Sequence, residues 1–576
     1  MRLDRLPISV LKTRYVPGGW DVVAFVLVFV FFIYAAEAAH GLTGSLARLQ
    51  ATPISLAPSA LVGYSARTAL RMVIAMLASL LFTFTYATLA AKSHRAEVIL
   101  IPLLDFLQSV PILSFQSITI LFFLRLTPGR VAGAEMAAIF LIFTSQAWNM
   151  AFSFYHSLRS IPDELVEAAR NFRLGPWLRF WRLEVPFAMP ALIWNMMMSM
   201  SGGWFFVVAS EAISVGNTTV TLPGVGSYIA TAIAEKNLTA IGWAIAAMFV
   251  VILIFDQLLF RPLISSADWF RLEQEAGFTA TRSWALTMMR RSRLLGLFAR
   301  AFAGMLRLGM RPPAEGSEAP LLGTARRNRR RGDYVWYAVL IAIGLAALWK
   351  LTHFVLGEVS LRETGRVLLY GLITLLRVAT LIALASLIWV PIGVWVGLRP
   401  RVSSIVQPIA QFLAAFPANL FFPIVFSAIV LFRLTPDIWL SPLMILGTQW
   451  YILFNVIVGA SALAPDLKYA SSNLGVRGWL WWRRVALPAV FPFYVTGAIT
   501  ASGGSWNASI VSEVATWGRE TLTAHGLGAY IATATSAGDF QRIVLGTMVL
   551  SVFVVTLNRT FWRPLYARAE RKFRIS

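Results

Sequence analysis

Glu211 and Glu513 are carboxylates set in apolar surroundings, and their numbers differ by 302 (513 − 211). Gln146 and Gln449 lie inside apolar runs as a second near-mirrored pair, and Asn149, Asn195, Asn455 and Asn507 add further amides. A polar group in such a setting costs free energy unless a partner or water meets it. These residue types therefore offer binding, gating or helix locking rather than bond-making. The other reading of each is an interhelical hydrogen bond that fixes packing. Nothing supplies covalent or metal chemistry: there is no cysteine, and His40, His94, His156, His353 and His525 are scattered without metal-ligand spacing. No Gly-x-x-x-x-Gly-Lys-Ser/Thr phosphate loop occurs. Neither an enzyme activity nor a cofactor is expected.

A second kind of feature is polar throughout. IPDELVEAARNF (161–172) and APDLKYASSNLG (464–475) interrupt long apolar stretches. Pro162 followed by Asp163 and Glu164 suits a helix start, because proline fits the first turn and acids suit the positive end of the dipole. Leu165, Ala168, Ala169 and Phe172 then recur at helical spacing and give the helix one face to dock.

The elements that position these groups are membrane spans. Of 576 residues, 58% are hydrophobic and only 13% charged, with mean hydropathy +0.69, too few charges to cover a soluble protein of this size. Apolar runs of about 20 residues recur, each long enough for the ~30 Å hydrocarbon layer. In the first half they lie near 20–39, 67–91, 98–125, 131–155, 187–212 and 239–261. In the second they lie near 334–356, 371–397, 404–432, 437–461, 488–513 and 541–562. The sequence thus predicts an all-α polytopic membrane protein. The formal charge of +23 falls in inter-span loops and a central linker, the pattern of positive-inside topology, not of a nucleic-acid binder.

The halves are copies of each other. GVGSYIA (224–230) matches GLGAYIA (526–532), Pro186 matches Pro488, and Trp177 matches Trp479, all at the offset that separates the glutamates. Thr68…Arg71 matches Thr374…Arg377, and Pro102 and Pro111 match Pro408 and Pro417, at slightly different offsets. Six spans per half give both copies the same orientation, hence an axis along the membrane normal. Residues 264–333, with thirteen arginines, read as a basic linker carrying an amphipathic helix near 283–306 on the inner leaflet. The expected organisation is a first module 1–263, the linker 264–333, and a second module 334–576, with both termini cytoplasmic.

Glu167-Ala168-Ala169 with Val185-Pro186, and Ala470, Gly475 and Leu487-Pro488, resemble the EAA loop of permease subunits in binding-protein-dependent ABC importers. GGWFFVVASE (202–211) and GSWNASIVSE (504–513), each with its Gly-x-Gly segment, are similar to the nitrate/sulfonate/taurine branch. The resemblance covers nearly the whole chain apart from the linker. It implies about twelve transmembrane helices in two parallel six-helix permease repeats of the type I ABC importer kind, fused in one chain. It also implies a bacterial inner membrane, two separate ABC ATPase subunits, a periplasmic solute-binding protein, and a small anion such as nitrate, a sulfonate, taurine or bicarbonate.

In that resemblance the loops 159–180 and 462–485 couple to the ATPases through Asp163, Glu164, Glu167, Ala168, Ala169, Asp466, Ala470 and Gly475. Gln146, Gln449, Glu211, Glu513, Asn455 and Asn507 are the candidates for the pathway or its gate. The chain departs from the family pattern at Arg173, where a glycine is expected, and at Tyr469, where a glutamate is expected. Gly175 is then expected to move the first turn by two residues. The competing assignments are a major-facilitator-type secondary transporter and a fused ferric-iron-type ABC permease.

Overall fold

The computed structural model describes residues 52–263 and 349–573 apart from 216–217, 356 and 464, with a few positions near 33–47 and 342–346. The linker 264–333 and most of the spans expected near 20–39 and 334–356 lie outside the described residues. The first half runs α1 (Ala60–Lys92), α2 (His94–Gln108), α3 (Ile112–Leu126), α4 (Val131–Arg159), α5 (Asp163–Asn171) and α6 (Pro176–Glu211). A hairpin of β1 (Ala212–Val215) and β2 (Thr218–Thr221), then α7 (Val225–Ala234) and α8 (Leu238–Leu263), complete it. The second half repeats the series as α9 (Leu361–Gly397), α10 (Pro400–Ala415), α11 (Ala418–Leu431), α12 (Pro436–Leu446), α13 (Gln449–Ser461), α14 (Pro465–Asn473) and α15 (Gly478–Ser512). It closes with β3 (Val514–Trp517), β4 (Glu520–Thr523), α16 (Leu527–Ala537) and α17 (Phe540–Ala569).

Among the described residues, seven helices are long and apolar enough to cross a membrane, or ten with each bent pair counted as one span. The all-α polytopic class holds, with two antiparallel hairpins added, in register Ala212↔Thr221 and Val514↔Thr523. The expected continuous spans 98–125, 404–432 and 437–461 are each broken. The first two bend by 91° and 77°, at Val110-Pro111 and Phe416-Pro417. A residue before proline is pushed out of the helical region. Val110 and Phe416 are accordingly extended, at ψ 122° and 126°. The third bends by 44° beside Gly447.

Helices α6 and α15 begin ten residues ahead of Pro186 and Pro488, and so extend beyond the apolar runs 187–212 and 488–513. Each contains a wide π-helical turn just before the proline, at Phe180–Glu184 and Trp482–Ala486. Such a turn absorbs the ring and the missing N–H without ending the helix.

By contact the chain divides into two units. One contains 161–190 and 254–263 among its described residues, and the other 39–160, 191–253 and the second half. Within the latter, Trp506, Val378, Ile452, Val495, Ala498 and Leu550 are buried in the main apolar cluster. Capping is local and legible: Ser360 Oγ accepts from Glu363 N at 3.2 Å, and Asp539 accepts from Arg542 N at 3.0 Å. Although burial works against it, the backbone N–H and guanidinium of Arg542 hold the Asp539 carboxyl below its ordinary range.

Candidate functional site

Each half builds the same buried polar knot. Glu211 ends α6 and is fully buried. Its carboxylate accepts from Thr68 Oγ1 at 2.7 Å, Arg71 Nη1 at 2.6 Å and the Gly226 backbone N–H at 2.6 Å. Arg71 turns its other edge to Glu135 in a bidentate pair at 2.6 and 2.7 Å, so one guanidinium serves two carboxylates. Thr68 Oγ1 in turn accepts from Val225 N at 3.0 Å. The knot thereby ties together the third and fourth turns of α1, the outset of α4, the end of α6 and the first turn of α7.

The second half does this with Glu513, which accepts from Thr374 Oγ1 at 2.9 Å, Arg377 Nη1 at 3.2 Å and Ala529 N at 2.9 Å. Arg377 reaches Asp437 at 3.0 Å, and Leu527 N donates to Thr374 Oγ1 at 3.0 Å. This copy is wetter: the Asp437 side chain is 46% exposed against 16% for Glu135. Asp437 also accepts from the backbone N–H of His525 at 2.7 Å.

The glycines of GVGSYIA and GLGAYIA follow from this packing. A Cβ at Gly224 or Gly526 would fall on the glutamate carboxylate, and one at Gly226 or Gly528 on the carbonyl oxygen of Val208 or Ser509. Helix and carboxylate approach that closely only without side chains. The first turns of α7 and α16 thus each donate a backbone N–H to a carboxylate of the chain itself, Gly226 N to Glu211 and Ala529 N to Glu513. Neither Glu135 nor Asp437 was among the candidates read from the sequence. The signal was present, because 437 − 135 equals the offset of the glutamates.

The remaining polar candidates behave differently from one another. Gln146 is fully buried, with Nε2 3.0 Å from Met72 Sδ and Oε1 3.4 Å from Ser79 Oγ. Gln449 is half-buried, accepts from Trp389 Nε1 at 2.9 Å and donates to Leu446 O at 3.2 Å. The two glutamines are therefore not counterparts. Thr448 stands at the equivalent of Gln146 and lies 3.0 Å from Ser505 Oγ, while Gln146 faces Gly203 at the matching place. Asn455 Nδ2 donates to Tyr451 O of its own helix at 2.8 Å. Asn507 Oδ1 accepts from Ile112 N at 2.6 Å, capping the backbone released at the Pro111 break from across the duplication. Asn149 accepts from Gln108 at 2.8 Å, and Asn195 donates to Ser153 Oγ at 2.9 Å.

The polar loop stretches are helices α5 and α14. Asp163, Glu164 and Glu167 are exposed, Ala168 is half-buried and Ala169 is buried. Asp466 and Ala470 of α14 are exposed. The turns after them share one geometry: Leu174 N donates to Ala169 O at 3.0 Å and Val476 N to Ser471 O at 2.9 Å. Gly475 takes the left-handed conformation this requires, at φ +65°. The expectation that Gly175 would take over in the first copy fails. Arg173 itself is left-handed, at φ +48°, while Gly175 is extended at φ −61°, ψ 160°.

A doubled, helical, multi-pass membrane protein with two buried arginine–carboxylate knots is the class these features define. The chain belongs to the family described as binding-protein-dependent transport system inner membrane component, which it matches over residues 84–261 and again over 389–574. That membership removes the major-facilitator alternative. It is 24% identical over 123 residues to the bicarbonate transport system permease protein CmpB of Synechocystis, covering 21% of this chain and 42% of that one. It is 27% identical over 169 residues to the glycine betaine/carnitine transport permease protein GbuB of Listeria monocytogenes, covering 29% and 54%. With the nitrate import permease protein NrtB of Leptolyngbya laminosa it shares 26% over 163 residues, covering 28% and 55%. The chain spans about half the length of the curated relatives it matches.

Proposed function

We propose that this chain carries both permease modules of an ATP-driven importer in a bacterial inner membrane. Its modules, 1–263 and 334–576, are joined by the basic linker, and both termini are cytoplasmic. The observation that carries this reading is the recurrence of the family in both halves of one polypeptide, at 84–261 and 389–574. Separate ATPases engage α5 and α14 through Asp163, Glu164, Glu167, Ala168 and Ala169 and through Asp466, Ala470 and Gly475. A solute-binding protein delivers the solute from outside. The exposed acids of α5 and the shared left-handed turns support two equivalent docking points. Gln146, Gln449, Asn455 and Asn507 belong to the pathway's surroundings, and Glu211 and Glu513 lock it rather than bind solute, a reading supported by their burial and by the threonine and arginine that hold each carboxylate.

The solute is a small anion of the bicarbonate or nitrate kind, as the names of two of these relatives suggest. A betaine is the second reading, favoured by the name of the Listeria relative. Reconstituted with its ATPases and binding protein, the chain should take up solute only when ATP is supplied. Uptake that persists without ATP on a proton gradient alone would contradict the reading. Calorimetry of the binding protein against bicarbonate, nitrate, sulfonates and betaines then separates the solutes.

A further inference from the structure

The second-half segment 474–486, LGVRGWLWWRRVA, carries Arg477, Arg483 and Arg484 and no acid. All three arginines are exposed, and none has an ion-pair partner among the described residues. Aromatic and aliphatic groups interleave with them. Trp479 is 74% exposed and Leu480 47%, while Trp481 and Trp482 are half-buried and meet edge to face at 5.8 Å. Trp479 and Arg483 are four residues apart, as are Leu480 and Arg484, so each cation stands one helical turn from an exposed apolar side chain.

Depth follows from the helix. Arg483 and Arg484 directly precede the apolar run of α15, which begins at Val485, and stand about 4–6 Å before Leu487 along the axis. The headgroup layer on one side of a bilayer is about 5–8 Å thick. The equivalent first-half stretch is compensated in part: Arg179 pairs with buried Glu184 at 3.1 Å while Arg182 is exposed, and Ala486 stands at the position of that glutamate.

We propose that 477–484 binds the headgroup of an anionic phospholipid. Guanidinium groups of Arg477, Arg483 and Arg484 hold the phosphate diester, and Trp479 and Leu480 lie along the lipid's apolar portion. Guanidinium donors fit phosphate oxygens in pairs, whereas a choline headgroup neutralises its own phosphate. The interleaved apolar groups and direct continuity with a span favour lipid over a soluble protein partner. The inference needs the membrane assignment but not the ATPase docking.

The test uses the full chain, purified in uncharged detergent and titrated with phosphatidylglycerol or phosphatidylcholine. Thermal midpoint and lipid retained in native mass spectrometry are the readouts. Phosphatidylglycerol should raise the midpoint and stay bound while phosphatidylcholine does neither. Each arginine changed to glutamine should weaken phosphatidylglycerol by about fivefold, from ~1 kcal/mol per cation near an anionic surface. Arg182→Gln, at the first-half equivalent of Arg484, should leave that affinity unchanged. Equal response to both lipids, an unchanged Arg483→Gln/Arg484→Gln variant, or the same stabilisation by inorganic phosphate would overturn the proposal. So would a variant that loses a nucleotide-hydrolysing partner yet keeps its lipid preference. Should that variant fail to fold, wild-type chain in nanodiscs of graded phosphatidylglycerol content decides it, since retention of both lipids in proportion to the bulk is the overturning result.

Discussion

Replacing Arg71 should damage the protein more than replacing Arg377, although both arginines hold the same place in their halves. Arg71 makes three contacts of 2.6–2.7 Å to two carboxylates, with its side chain 4% exposed and Glu211 not exposed at all. Arg71→Met leaves both carboxylates without their cation, and water cannot reach Glu211. Breaking a buried pair from one side costs about 3–5 kcal/mol. Arg377 makes two longer contacts, at 3.0 and 3.2 Å. One of its partners, Asp437, is 46% exposed and keeps the His525 N–H, so solvent recovers much of that loss. Arg377→Met should then cost about 1–3 kcal/mol, by the same reasoning discounted for screening. The assay is denaturant unfolding in mixed micelles followed by tryptophan fluorescence. The Arg71 variant should unfold first, and adding Glu211→Gln to it should restore part of the loss by removing the stranded charge. Equal loss in the two arginine variants, or no recovery in the double variant, would refute the claim that burial sets the strength of each knot.

Arg173→Gly should stabilise the chain by about 0.5–1 kcal/mol, because an L-residue in the left-handed region carries roughly that strain; the same unfolding assay reads it. Gly226→Ala should cost about 1–3 kcal/mol by driving a methyl group into Val208 O, whereas Gly242→Ala, with open space around it, should be neutral or slightly stabilising. Asn507→Ala should cost about 1–3 kcal/mol by orphaning the Ile112 N–H at the Pro111 break, and Asn507→Asp, which keeps an acceptor, should cost less. Hydrogen exchange at Ile112 reports that contact directly.

Much of this architecture is readable from the chain, and what escaped reading has physical causes. The duplication, the helical class and the paired glutamates follow from hydropathy and from one recurring offset, because copies fold alike and keep their polar groups in register. The breaks at Pro111 and Pro417 were within reach, since both prolines were matched across the halves. An apolar run hides a bend, because composition does not change where direction does. Pairing Gln146 with Gln449 erred by one residue because likeness of side chain was followed instead of the offset that leads to Thr448. The left-handed Arg173 was missed because the turn was assigned to Gly175 by residue type, whereas the offset from Gly475 leads to Arg173. The partners of Glu211 come from two other helices, α1 and α7, and only tertiary structure brings Thr68, Arg71 and Gly226 to one carboxylate.

The proposed docking of an external ATPase on α5 and α14 is directly testable, because the sequence contains no cysteine. Glu167→Cys and Tyr469→Cys introduce the only thiols on the chain, one on each helix. In the assembled transporter each should cross-link to a nucleotide-hydrolysing subunit, with yields that change when ATP is added. Failure of both positions to capture such a subunit, in a complex that still transports, would contradict the account.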